Sequence, residues 1–113
     1  MFSKHDSHGY ASPLPGIRMK TICYGEQTLM TEFELDRDSD LPLHAHPQEQ
    51  TGYLVRGHIV LTIGEETSDI LPGDSWCIPS NVRHGAKILE DSVAIEIFSP
   101  VREDYLPEGA KSA

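Results

Sequence analysis

The residues best suited to chemistry lie in HAHPQEQTGYLVRGH, which begins at His44. In an extended chain, side chains two apart point the same way, so His44, His46, Gln48 and Gln50 share one face. Two imidazoles a few ångströms apart would repel if both were protonated. A divalent metal removes the conflict, because neutral imidazole is a favoured ligand of Zn, Fe, Ni, Cu and Mn. Paired histidines on a strand surface are also common, so this spacing alone leaves a solvated pair open. Downstream, GDSWCIPSNVRHG carries a Gly-Asp turn, a short strand, a turn at Pro79 and Asn81, and then His84. In a barrel, a third imidazole so placed could return to the first two. The expected cofactor is therefore one divalent first-row transition metal: Zn, Ni, Fe, Mn or Cu.

The elements that must position these groups are strands. From Ile17 the chain runs in short segments: IRMKTICY, QTLMTEFEL, TGYLVRG, HIVLTIG, DSWCIP and SVAIEIF. Each is rich in β-branched or aromatic residues and bounded by Gly, Pro or Asp. Leu29, Thr31, Phe33 and Leu35 share one face of the second segment. RDSDLP, VRG, IGEETSD and LPGD read as connections. Only the short REDYLPEG tail hints at helical spacing. The fold class is all-β, with about eight to ten short strands closed into a sandwich or barrel. Residues 1–16, rich in His, Ser, Gly and Pro, read as a flexible arm in which His5 and His8 are solvated; residues 17–113 form a single domain with a short C-terminal tail.

Composition narrows the function. A net charge of −9 on 113 residues argues against nucleic acid and anionic membranes, which require a basic patch. It also repels anionic substrates, so an anion site would need a local cation. The N-terminal MFSKHDSHGY has no signal-peptide run, and no segment reaches membrane-spanning length. Cys23 and Cys77 form no CxxC pair and read as free, buried thiols in a cytoplasmic protein.

Taken together, the two histidine segments resemble the paired motifs of the cupin superfamily, approximately G-x5-H-x-H-x3,4-E-x6-G and G-x5-P-x-G-x2-H-x3-N. His44, His46 and Gly57 match the first motif, with Gln50 where Glu is usual. Gly73, Pro79 and His84 match the second, with Asn81 replacing a Gly at a left-handed turn and Ile88 replacing the final Asn. The resemblance implies a small double-stranded β-helix (jelly-roll) barrel with a metal in its mouth, held by His44, His46, Gln50 and His84. Glu49 has the opposite parity and points away. An amide ligand leaves the ion its full charge, which favours Lewis-acid chemistry on an anionic, oxygen-rich substrate.

Beyond the metal, SVAIEIF places Ala94, Glu96 and Phe98 on one side and Val93, Ile95 and Ile97 on the other. Glu96 is either a solvent-facing acid beside a partly covered Phe or a desolvated acid in the lumen. Arg102 is either a surface partner of Glu103 or Asp104 or a bidentate clamp for a carboxylate. The stretch from HPQEQTGYLVRG to FSPVREDYL looks like the KdgF-type pectin-degradation cupins. That resemblance implies conversion of 4,5-unsaturated uronates to linear ketouronates, an isomerase or tautomerase activity on a small anionic sugar acid. It also implies an acid-x-Phe-x3-Arg pattern, which Glu96, Phe98 and Arg102 fit as catalytic residues, with Glu in place of Asp. A small metal-dependent dioxygenase and a non-catalytic ligand-binding cupin are the alternatives. The apolar Val93, Ile95 and Ile97 face, together with open sheet edges, leads to the expectation of a homodimer.

Overall fold

The structure, a computed structural model, describes residues 1–107. Among them are eight strands: β1 (Ala11–Leu14), β2 (Ile17–Tyr24), β3 (Leu29–Leu35), β4 (Asp40–His44), β5 (Glu49–Ile63), β6 (Glu66–Ile70), β7 (Ser75–Ile78) and β8 (His84–Ser99). Pairing is antiparallel throughout, in the order β1-β2-β3-β8-β5-β6, with β4 on β8 and β7 on β5. The long strands β5 and β8 share their partners by halves. Residues 49–54 of β5 lie between β7 and the second half of β8, which carries β3, β2 and β1. Residues 59–63 lie between β6 and the first half of β8, which carries β4. The sheet thus divides into two layers.

Both layers bury one face in a single core of Ile17, Met19, Phe33, Leu35, Leu54, Ile59, Leu61, Ile70, Ala86, Ile88 and Ala94. Alternation explains this best on β3, where Leu29, Thr31, Phe33 and Leu35 are buried and the intervening residues are not. The passage between layers falls at register shifts around Val55, Gly57 and His58. Gly57 has φ 103°, and a Cβ there would lie 2.0 Å from Ser92 Oγ, so only glycine fits. Ser92 Oγ accepts from His58 N–H and donates to the Glu90 carbonyl, which supplies partners where the ladder is interrupted.

Several sequence expectations are corrected here. VRG is not a connection, because TGYLVRG and HIVLTIG are one bulged strand, β5. IGEETSD contains most of β6, and RDSDLP runs into β4. Strand β1 lies inside the stretch read as a loose arm: Ala11 and Leu14 pair with Met19 and Ile17, and Leu14 packs on the core. Pro13 is tolerated because β1 is an edge strand and need not donate on both sides. His5 and His8 are exposed, although the Lys20 ammonium donates to the carbonyls of Asp6 and His8. In the C-terminal tail, Glu103–Tyr105 forms one 3₁₀ turn, while Glu108 and Gly109 of REDYLPEG lie outside the described residues. Cys23 is half-buried and Cys77 exposed, both with free thiols. No helix among the described residues is long and apolar enough to cross a membrane.

Candidate active site

The open end of the lumen is where the start of β8, the end of β4 and the start of β5 meet. His44 ends β4 and pairs directly with His84, which begins β8. His46 lies in the short link to β5, and Gln50 is the second residue of that strand. The turn before His84 is set by Asn81 at φ 64°, a left-handed conformation that Asn adopts readily, and Asn81 N–H donates to the His46 carbonyl. One turn therefore ties together the two distant histidine segments.

The ligand-capable nitrogens of His44, His46 and His84 all lie within 4.8 Å of one another. Each ring is oriented by its other nitrogen. Nδ1 contacts the carbonyl of Pro42 at 2.8 Å in His44, of Gln48 at 3.0 Å in His46, and of Val82 at 2.9 Å in His84. A carbonyl only accepts, so each Nδ1 carries the proton and each Nε2 presents a lone pair. His84 Nε2 is buried with no partner among the described residues, the kind of orphaned polar atom that costs free energy unless a cation or water meets it. His46 Nε2 also faces Gln50 Oε1 at 3.0 Å, so two acceptors confront each other. Burial pushes the His84 imidazole down to about 4 and also lowers that of His46, where the Arg102 charge adds to the effect. Converging imidazole nitrogens with an amide oxygen beside them are a donor set that fits a divalent first-row ion. Their Nδ1–H···O=C bonds are the supporting contacts such ligands normally have. Glu49, by contrast, is exposed.

Behind the histidines the same cavity, about 60 Å³, is lined by Gln50, Trp76, Glu96, Phe98, Arg102 and Tyr105. Glu96 is buried in the lumen, 9% exposed, with Ala94 and Phe98 on the same face at 3% and 1%. The solvent-facing alternative for Glu96 is thereby removed. Its Oε1 accepts from Trp76 Nε1–H at 3.0 Å, and the Gln50 amide donates to the same carboxylate. That second bond turns Gln50 Oε1 toward the histidines. Burial raises the Glu96 pKa against the opposing pull of these two donors and of Arg102.

Arg102 pairs with Asp104 and also borders the lumen. Its Nε and Nη2 donate to Asp104 at 3.3 and 2.8 Å, yet its side chain is only 15% exposed and lines the cavity. The guanidinium lies 3.9 Å from the Tyr105 ring centroid and 5.0 Å from that of Phe98. Phe98 in turn meets His46 and Tyr105 edge-on, at centroid separations of 5.6 and 5.4 Å. Thr21 Oγ1 donates to the Tyr105 carbonyl and ties this cap to β2. Sequence reasoning missed Trp76 and Tyr105. Trp76 shares its face of β7 with the buried Ile78, an alternation that could have marked it as lumenal, whereas nothing local marks Tyr105.

A small two-layered barrel with an imidazole cluster in its mouth is the architecture of a cupin, and the chain belongs to that family, residues 31–99 matching the cupin domain. Within the family it groups with the KdgF-type cupins. It is 30% identical to the pectin degradation protein KdgF of Dickeya dadantii over 93 residues, which make up 80% of this chain and 84% of that one. The structure of KdgF from Halomonas sp. superposes with a TM-score of 0.88 at 32% identity, covering 94% of this chain and all of that one (100%). An RmlC-like cupin from Shewanella frigidimarina gives 0.87 at 25% identity over 93% and 95% of the two chains.

Proposed function

We propose that this protein is a metal-dependent isomerase of pectin or alginate breakdown, opening 4,5-unsaturated uronates into linear ketouronates. One observation carries the reading: a buried acid, Glu96, and a half-sheltered guanidinium, Arg102, share one lumen with the His44, His46, His84 and Gln50 cluster. Kinship with KdgF supplies the substrate class. The metal ligands are His44, His46, Gln50 and His84. When bound, a divalent ion supplies Lewis acidity to ring and hydroxyl oxygens of the sugar. The Arg102 edge turned away from Asp104 takes the substrate carboxylate, giving an acidic protein the local cation an anion needs. Phe98 and Tyr105 hold that guanidinium in plane.

The proton inventory is simple. The anomeric hydroxyl loses its proton as its carbon becomes an aldehyde, the bond from that carbon to the ring oxygen breaks, and the ring oxygen is left as an enolate that becomes a ketone when the alkene carbon remote from it gains a proton. No electrons are gained or lost. Glu96 carries the proton from hydroxyl to carbon, and its raised pKa brings it closer to neutrality than an ordinary carboxyl. The free thiols of Cys23 and Cys77 suit a reducing cytoplasm. The outer face bearing Val93, Ile95 and Ile97, flanked by Tyr53 and Val55 at 49% and 47% exposure, suits a two-fold contact with a second copy.

The deciding experiment is elemental analysis of purified protein, followed by an absorbance assay on unsaturated galacturonate and mannuronate. Loss of the conjugated chromophore that requires the metal is expected. A metal-loaded protein that leaves both sugars untouched would refute this function.

A further inference from the structure

Trp76, Gly52 and Glu96 stand in one cross-strand row. Gly52 of β5 pairs with Trp76 of β7 on one side and with Glu96 of β8 on the other. The Trp76 indole crosses above Gly52 and delivers Nε1–H to Glu96 Oε1 at 3.0 Å, two strands away. A Cβ on Gly52 would lie 2.2 Å from Cε2 of the indole and 2.3 Å from both Cζ2 and Nε1. No other residue at position 52 leaves the ring where it is. A glycine inside a strand otherwise weakens it, so this one is accounted for by the close approach it permits. Gln50 lies two residues away on the same face of β5 and donates to the same carboxylate. Glu96 is therefore held from two directions.

We infer that Gly52 and Trp76 are positioning residues, which together fix the Glu96 carboxylate at the angle the reaction requires. An indole N–H only donates, so it can serve a carboxylate oxygen in this position but cannot itself take up a proton. Buried orientation of this kind matters more for turnover than for affinity, because a displacement of about 1 Å can cost about a hundredfold. The inference rests on the proposed role of Glu96, but the hydrogen bond itself is testable without turnover.

The chain has a single tryptophan, so its indole N–H gives one resonance that needs no assignment. In the metal-loaded protein, Glu96→Ala removes the acceptor, and that resonance should shift and lose protection from hydrogen exchange. Gly52→Ala should produce the same change by expelling the ring, with metal content retained. In the uronate assay Gly52→Ala should lower kcat about a hundredfold, and Trp76→Phe, which keeps a ring but deletes the donor, about tenfold. KM should stay within about twofold in both. Should Gly52→Ala fold poorly, Trp76→Phe still decides the kinetic arm. An indole resonance identical in wild type and Glu96→Ala would overturn the inference, as would an unchanged kcat in Trp76→Phe. A wild-type protein inactive on uronates would remove the function but leave the resonance test to decide the contact.

Discussion

The two ends of the barrel are built from the same strands and behave as opposites. Toward the bend, β3, β5 and β8 contribute Leu35, Leu54, Ile88 and Ala94, all buried and all apolar. Toward the mouth, those strands contribute the polar Thr31, Gln50, His84 and Glu96, equally buried, beside the apolar Leu29 and Phe98. Burial is the same while the chemistry differs. At the base, burial is its own reward through removal of apolar area from water. At the mouth it is a cost, met by donors such as Trp76 and Gln50 for Glu96 but left unmet at His84 Nε2. Stability is stored at one end and spent at the other.

If that division holds, mutations at the two ends should separate folding from function. The largest effect should come from the mouth: His46→Ala with His84→Ala should strip the metal and abolish turnover while the urea midpoint of the metal-free protein changes little or rises. Full metal occupancy in that double variant would refute the ligand assignment. Glu96→Gln keeps the size and an oxygen for the Trp76 N–H but cannot transfer a proton, so kcat should fall about 10²–10⁴-fold with KM nearly constant. Wild-type kcat in that variant would make Glu96 a structural acid. At the base, Leu54→Ala should instead cost about 2–5 kcal/mol in denaturant unfolding, with metal content and KM of the folded fraction preserved.

The same contrast explains what could be read in advance. The base is legible because alternation reports burial directly, as in Leu29, Thr31, Phe33 and Leu35. Parity separates Gln50, inward, from Glu49, outward, and groups Glu96 and Phe98 with Ala94, but only the structure shows that this shared face is the inner one. What escaped depends on partners distant in sequence. Arg56 and Gly57 look like a turn in isolation, and only their register against residues 90–93 makes them a bulge within β5. Cys77 was read as buried for its type, yet β7 is an edge strand whose inward position is taken by Trp76. The reach of Trp76 to Glu96 requires knowing that Gly52 lies between them. The place of Arg102 is not legible in sequence, because its stacking on Tyr105 comes from a single turn with no periodic signature.

A smaller effect sharpens the picture of the anion clamp. Arg102→Ala should raise KM about tenfold or more and lower kcat less, because the guanidinium binds and orients the carboxylate without exchanging a proton. Arg102→Lys should recover little, since an ammonium cannot reproduce the planar edge or its stacking on Tyr105 and Phe98. Equal KM in all three proteins would place the substrate carboxylate elsewhere.

The pH dependence of stability is the most direct measure of the cost at the mouth, and it concerns the metal-free protein. His84 is held at about 4, below the 6.5 of a free imidazole, because burial disfavours its charge. A depressed folded pKa means that the unfolded chain takes up the proton first as pH falls. The contribution of His84 is therefore complete above about pH 6.5 and is lost progressively as pH falls toward about 4, to a total on the order of 3 kcal/mol. Glu96 works the other way. Its folded pKa is raised, so the cost of its buried charge is relieved as pH falls through that value, which partly offsets the loss from His84. Urea midpoints of the chelated protein should thus decline gently between about pH 7 and about pH 5, and more steeply in Glu96→Gln, where the offset is gone. Leu54→Ala should lower the whole curve without altering its slope, since the base carries no titrating group. A slope as steep in wild type as in Glu96→Gln would show that the two ends of the lumen are not divided in the way their burial suggests.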